Sequence, residues 1–278
     1  MNNRILAFFF VLALLMPMAL KAQTETALNP ELGARLSLVA DWRITRGLHL
    51  FLEEEARFDN NFGSFNRLQT TLGLDYKVHP NIKLGLGYAL INVYSVDNKA
   101  FKYPRHRFLA DVTGTLHFNY WNFSLKERFQ VTRRTGNYNV YQNPKNALTL
   151  KSRMTAKYKG FNRVEPYAYV EIRNYLNAPV IYASYDGTGY YTLEENPSET
   201  GDPGWFLYSF KGGYINRVRG SIGMDFKIDK RNSFNIYILT DYIMDKVIDA
   251  NAEGTKLKSY TKESGFVGWI GAGYEYSF

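Results

Sequence analysis

From Asn29-Pro30 onward, apolar residues fall at every second position, the repeat that places alternate side chains on opposite faces of a β-strand. In the first such segment Leu32, Ala34, Leu36, Leu38, Ala40 and Trp42 share one face. Gly33, Arg35, Ser37, Val39, Asp41 and Arg43 take the other. The pattern returns at 66–78, where Leu68, Leu72, Leu74 and Val78 oppose Arg67, Gln69, Asp75 and Lys77, and it closes the chain at 265–278. Eleven segments carry it: 31–43, 48–58, 66–78, 82–94, 105–118, 122–133, 147–158, 164–175, 213–228, 233–245 and 265–278. They are long against the roughly 5–6 residues usual for soluble sheets, and match a tilted strand crossing a bilayer.

The connections alternate in length. Short turns at 44–47, 79–81, 119–121, 159–163 and 229–232 face longer polar links at 59–65, 95–104, 134–146, 176–212 and 246–264. Short turns at one end and long loops at the other are the asymmetry of an outer-membrane barrel. The expected fold is therefore all-β, an antiparallel transmembrane β-barrel. A soluble sandwich or lipocalin-like barrel is the alternative, but it would need an apolar interior where this chain puts charge. An even strand count keeps both termini on one side, whereas the segments number eleven. About 12 strands are expected, the missing one lying within 176–212, with 10 as the alternative.

The N-terminus carries an address. Met1–Arg4 is a positive n-region, Ile5–Leu20 an apolar run, and Lys21-Ala22-Gln23 a cleavage region, so 1–22 reads as a signal peptide and 23–278 as the barrel domain. An uncleaved anchor is the alternative, disfavoured because the run falls short of a full span. Mean hydropathy of −0.33 argues against a polytopic helical membrane protein. Cysteine is absent, which excludes disulfides, thiolate chemistry and a lipid-anchor cysteine. The formal charge of +8, reduced by two on loss of Arg4 and Lys21, forms no basic cluster of the kind that binds nucleic acid. The expected location is the outer membrane, with the lipid bilayer, lipopolysaccharide and the barrel assembly machinery as partners and the oligomeric state open. Alternating Tyr274, Tyr276 and a terminal Phe278 resemble the strand that assembly machinery reads in barrel substrates.

The polar face defines the candidate site. Glu53, Glu55, Arg57, Arg107, Asp111, Lys126, Arg128, Glu171, Arg173, Arg217 and Arg219 all fall on the inward phase. Their mixed signs point to ion pairs filling a narrow lumen, either as structural packing or as a path for a small charged solute. Glu54 and Glu127 fall instead on the apolar phase, where a β-bulge shifting the phase is the expected escape. The histidines, His49, His79, His106 and His117, are dispersed, with no metal-ligand spacing and no recognisable catalytic motif. No enzyme activity, metal or cofactor is expected, although a His117–Thr115 grouping would be the remaining catalytic candidate. Trp42, Tyr88, Tyr94, Trp121, Tyr158 and Tyr242 are candidate interface aromatics, and Trp269 is inward by phase. The Tyr- and acid-rich stretch 176–206 and the lysines of 246–264 are candidate surface-binding loops.

Six short motifs occur in order: Leu52–Phe58 (LEEEARF), Leu74–Lys77 (LDYK), Gly85–Tyr88 (GLGY), Arg105–Phe108 (RHRF), Lys126–Phe129 (KERF) and Asn216–Gly220 (NRVRG). Their order resembles the family known as domain of unknown function 2490, common in Bacteroidota. The resemblance implies an outer-membrane barrel and assigns no activity.

Overall fold

The fold is that of a computed structural model, which describes residues 26–27, 31–136, 138–184, 191–192, 205–252 and 257–278. The proposed signal segment 1–22 lies outside these residues. In chain order the strands are β1 (Thr26–Ala27), β2 (Glu31–Thr45), β3 (Leu48–Asp59), β4 (Ser64–His79), β5 (Ile82–Ser95), β6 (Ala100–Phe101) and β7 (Arg105–Phe118). There follow β8 (Trp121–Arg134), β9 (Asn146–Tyr158), β10 (Val164–Ser184), β11 (Tyr191–Thr192), β12 (Trp205–Lys227), β13 (Asn232–Ala250) and β14 (Leu257–Ser277).

Each long strand pairs antiparallel with the next, and β14 returns to β2, so the sheet closes into an all-β barrel. Eleven strands form the wall, and β1 is a twelfth, lying along β14 just beyond the start of β2. The two-residue β6 and β11 are side pairings on β5 and β10. Among the described residues, the segment 176–212 holds no separate wall strand. An up-and-down wall with an odd count brings its first and last strands round running in the same direction. The seam is accordingly parallel, from Val267↔Glu31 to Ser277↔Asp41. Chain direction therefore places Glu31 at the long-loop end and Phe278 at the short-turn end.

Alternation decides which side chains meet the outside. Leu38 is 63% and Leu86 65% exposed on the outer surface, whereas the inward Leu239 and Asp241 are each 1% exposed. This polarity, apolar outside and charged inside, is the inverse of a water-soluble barrel. At four inward glycines, Gly33, Gly73, Gly223 and Gly271, a neighbouring aromatic ring lies over the position. A Cβ on Gly271 would come within 2.0 Å of the Tyr237 ring, and one on Gly33 within 2.5 Å of Trp269. Trp269 thus fills the lumen, with the Arg35 guanidinium 4.3 Å above its ring.

Three expectations are revised by the strand pairing. The links 176–212 and 246–264 are shorter than they read: β10 runs to Ser184, β12 begins at Trp205, and β13 and β14 span all but 251–256. The stretches 178–184 (APVIYAS) and 205–212 (WFLYSFKG) carry consecutive apolar residues and no two-residue repeat, so period-two reading ended the strands early. No bulge rescues Glu54 or Glu127, because the ladders on both sides of each run without a register shift there. Both carboxylates stay on the outer face. Glu127 accepts a 2.7 Å hydrogen bond from the Ser152 hydroxyl, and Glu54 lies opposite Leu38 and Thr70 with one oxygen buried and unpartnered.

Aromatics gather at the short-turn end. Phe278 stacks on Trp42 at 5.0 Å and meets Tyr276 edge-on at 4.7 Å, closing the seam where the chain ends. Trp121, Tyr158 and Phe161 form a second group on the neighbouring hairpins. The β12–β13 turn is held by Asp229, which accepts from the backbone N–H groups of Arg231 and Asn232. Those bonds hold its carboxyl below the usual range.

The ring-over-glycine packing gives a direct test. Gly271→Val should lower stability by about 1–3 kcal/mol in urea unfolding from lipid vesicles, because Tyr237 has nowhere to move. Adding Tyr237→Ala should recover part of that loss.

Candidate functional site in the barrel lumen

The centre of the lumen is built on Asp241, which β13 projects inward opposite Arg219 of β12. Arg219 grips it through two hydrogen bonds, Nε to Oδ1 at 2.6 Å and Nη2 to Oδ2 at 3.0 Å. Arg217 approaches the same carboxylate at 3.4 Å, and Arg35 reaches it at 3.6 Å from β2, past the intervening β14. Arg219 also lies 3.7 Å from Glu171, which β10 holds directly opposite Arg219 on one side and Arg153 on the other. Arg153 completes the chain with a 2.5 Å contact to Glu171. Five strands, β2, β13, β12, β10 and β9, are therefore joined through two carboxylates.

A second cluster occupies the facing wall. Asp111 of β7 accepts two bonds from Arg128 of β8, at 2.7 and 2.6 Å, and sits 2.7 Å from the Lys126 ammonium. Arg57 pairs with Glu55 two residues away on β3 at 2.5 Å. Glu53 lies inward with Glu55 and Arg57 but forms no ion pair among the described residues. Arg107 donates to the Thr132 hydroxyl at 3.0 Å rather than to a carboxylate.

The partner of Arg173 departs from simple alternation. The β10–β12 ladder shifts register after Arg173↔Arg217, so Asn216 is the extra residue of a bulge and turns inward beside Arg217. There it accepts a 2.6 Å bond from Arg173 and donates to Asp245 at 3.2 Å. Period-two reading could not place Asn216. Arg35, by contrast, was visible on the inward phase of the first strand, and its role as a partner of Asp241 depends on the closing seam.

At the short-turn end, Asp41 lies 2.9 Å from the His49 ring and Asp75 2.7 Å from Lys83. Lys157 contacts Asp225, and Lys227 contacts Glu165. His117 Nδ1 is 2.7 Å from the Asn122 amide, not in contact with Thr115, and His106 meets the Tyr88 hydroxyl at 2.7 Å on the outer face. At the other end the β8–β9 loop crosses the mouth: Gln142 donates to Asp249 at 2.7 Å and Asn139 to the Asn251 carbonyl at 3.1 Å. Of the lysines singled out in 246–264, Lys246 stands 4.7 Å from the Tyr214 ring, while Lys256 falls outside the described residues.

Part of the inward set at mid-height is shielded from water, although Arg128 and Arg153 keep 30% and 34% of their side chains accessible. Glu171, Gln130 and Thr71 are each 3% exposed and Arg35 4%. An open channel would leave such groups wet, so the lumen here is filled by its own side chains. Removing one member of such a buried pair leaves its partners uncompensated. Asp241→Ala would leave Arg35, Arg217 and Arg219 without their shared counter-charge, and a loss of about 3–5 kcal/mol is expected in urea unfolding. Asp229→Asn in the exposed turn serves as the control and should cost far less.

These inward residues lie largely within the part of the chain shared with known sequences. A family model described as Protein of unknown function (DUF2490) matches residues 33–189, from the start of β2 to just past the end of β10. The last three wall strands, with Asp241 and the Asn216–Gly220 motif, lie beyond it. No curated protein matches the chain. With more than half its length matched, the chain belongs to the DUF2490 family of proteins of unknown function.

Proposed function

We propose that the protein is an outer-membrane barrel with a lumen closed to free diffusion, serving a structural or small-charged-solute role. Its short turns and Phe278 would face the periplasm and its long loops the exterior, in a leaflet of lipopolysaccharide. The observation that carries this reading is an exposed apolar outer wall around a lumen whose central charged groups Asp241, Glu171 and Arg35 are only 1%, 3% and 4% exposed. An apolar wall of this kind is stable against lipid tails, and a paired polar interior gives an ion no continuous wet path. Export by the 1–22 segment and recognition of Tyr274, Tyr276 and Phe278 by the assembly machinery belong to the same proposal.

Membrane and soluble readings separate on one gel. The folded protein should fractionate with the outer membrane and migrate differently when unboiled, as closed barrels in detergent do. In planar bilayers the purified barrel should show little or no stable conductance. Large sustained openings would overturn the closed lumen without touching the membrane assignment.

A further inference from the structure

At the long-loop end, outside the central ion-pair network, the β5–β7 and β8–β9 connections enclose a cavity of about 700 Å³. That is the size of a small-molecule site. Its walls include Phe101, Lys102, Tyr103, Arg105, Arg134 and Tyr138. Arg105 and Arg134 stand directly opposite each other in the β7–β8 ladder. Like charges in that position repel, and a sheet normally avoids them. Neither guanidinium forms an ion pair among the described residues. Arg134 is anchored instead by donating from Nη1 to the Pro144 carbonyl at 2.8 Å.

The rest of the cavity is shaped in advance. Thr135 donates its hydroxyl to the Pro104 carbonyl, tying the two loops together. Gly136, at a φ of +76°, lies against the Tyr103 ring, where a Cβ would come within 2.1 Å of the ring carbons. Phe101 and Tyr103, 56% and 62% exposed, line the cavity together with the arginines, and Phe101 is held in place edge-on by Tyr94 and Phe65. Two unneutralised forks beside open aromatic faces suit an anion carried on a flat or ring-shaped body. A singly charged carboxylate satisfies one fork, whereas a phosphomonoester brings charge and oxygens enough for both.

We propose that this cavity is a binding site for a phosphorylated sugar, with Arg105 and Arg134 holding the phosphate and Phe101 and Tyr103 lying against the sugar ring. The same phosphate-on-sugar chemistry occurs in a free sugar phosphate and in the headgroup of a lipopolysaccharide. The site stands on its own geometry and does not depend on the closed-lumen reading.

Calorimetric titration of the full barrel in detergent tests it with three probes: glucose 1-phosphate, inorganic phosphate and glucose. Glucose 1-phosphate should bind, inorganic phosphate more weakly, and glucose not at all. Arg105→Gln with Arg134→Gln should weaken glucose 1-phosphate about tenfold or more, with the gel shift of the folded barrel retained. Should the double variant fail to fold, Arg105→Gln alone, at the exposed end of its strand, gives the same reading at smaller size. Gly136→Ala should weaken glucose 1-phosphate more than inorganic phosphate, because it displaces the ring and not the arginines. Competition by lipid A micelles would assign the ligand to the headgroup, and its absence to a free solute. Failure of the folded wild-type barrel to bind either phosphate, or binding unchanged in the arginine variants, overturns the proposal.

Discussion

The structure depends on accommodating charge inside a lumen packed with its own side chains. Once alternate side chains along every strand are apolar and outward, all the others must turn inward. An eleven-stranded wall encloses a lumen narrow enough for side chains to meet across it. A buried ion that finds no partner costs several kcal/mol, so the inward groups pair across strands and not merely along them. Asp241 shows how economical this is: Arg217 and Arg219 from the neighbouring β12 and Arg35 from β2, past the seam, converge on a single carboxylate.

The parallel seam follows from the same closure. An odd wall cannot end on an antiparallel pair, and the cost is small because a parallel ladder is only slightly weaker per residue. The seam also brings Arg35 within reach of Asp241 and seats Trp269 against Gly33. What looks like an irregularity of strand number therefore helps fill the centre. The terminal Phe278, stacked on Trp42, fastens the same seam at its other end.

The loop end obeys a different rule. There Arg105 and Arg134 face each other without the counter-charge that Arg128, Arg153 and Arg219 obtain at the centre, and the exposed rings of Phe101 and Tyr103 line the same cavity. Glu54 and Glu127 are a second departure, being carboxylates left on the apolar outer face by an unbroken ladder. Acidic groups cost less than basic ones against lipid, and Ser152 offsets part of that for Glu127.

The sequence by itself determined the strands, the polarity of the wall, and the inward facing of residues such as Glu53, Asp111, Arg128 and Glu171. Each of these follows from a two-residue repeat that is local and survives any rearrangement of partners. Only the tertiary structure decided that β14 meets β2 in parallel, that Asp241 gathers Arg35, Arg217 and Arg219, and that a bulge turns Asn216 toward Arg173. Those outcomes depend on register between strands far apart in the chain, where a shift of one residue reverses every side chain. The opposition of Arg105 and Arg134, 29 positions apart, is settled in the same way: by the pairing of β7 with β8 and not by either strand alone.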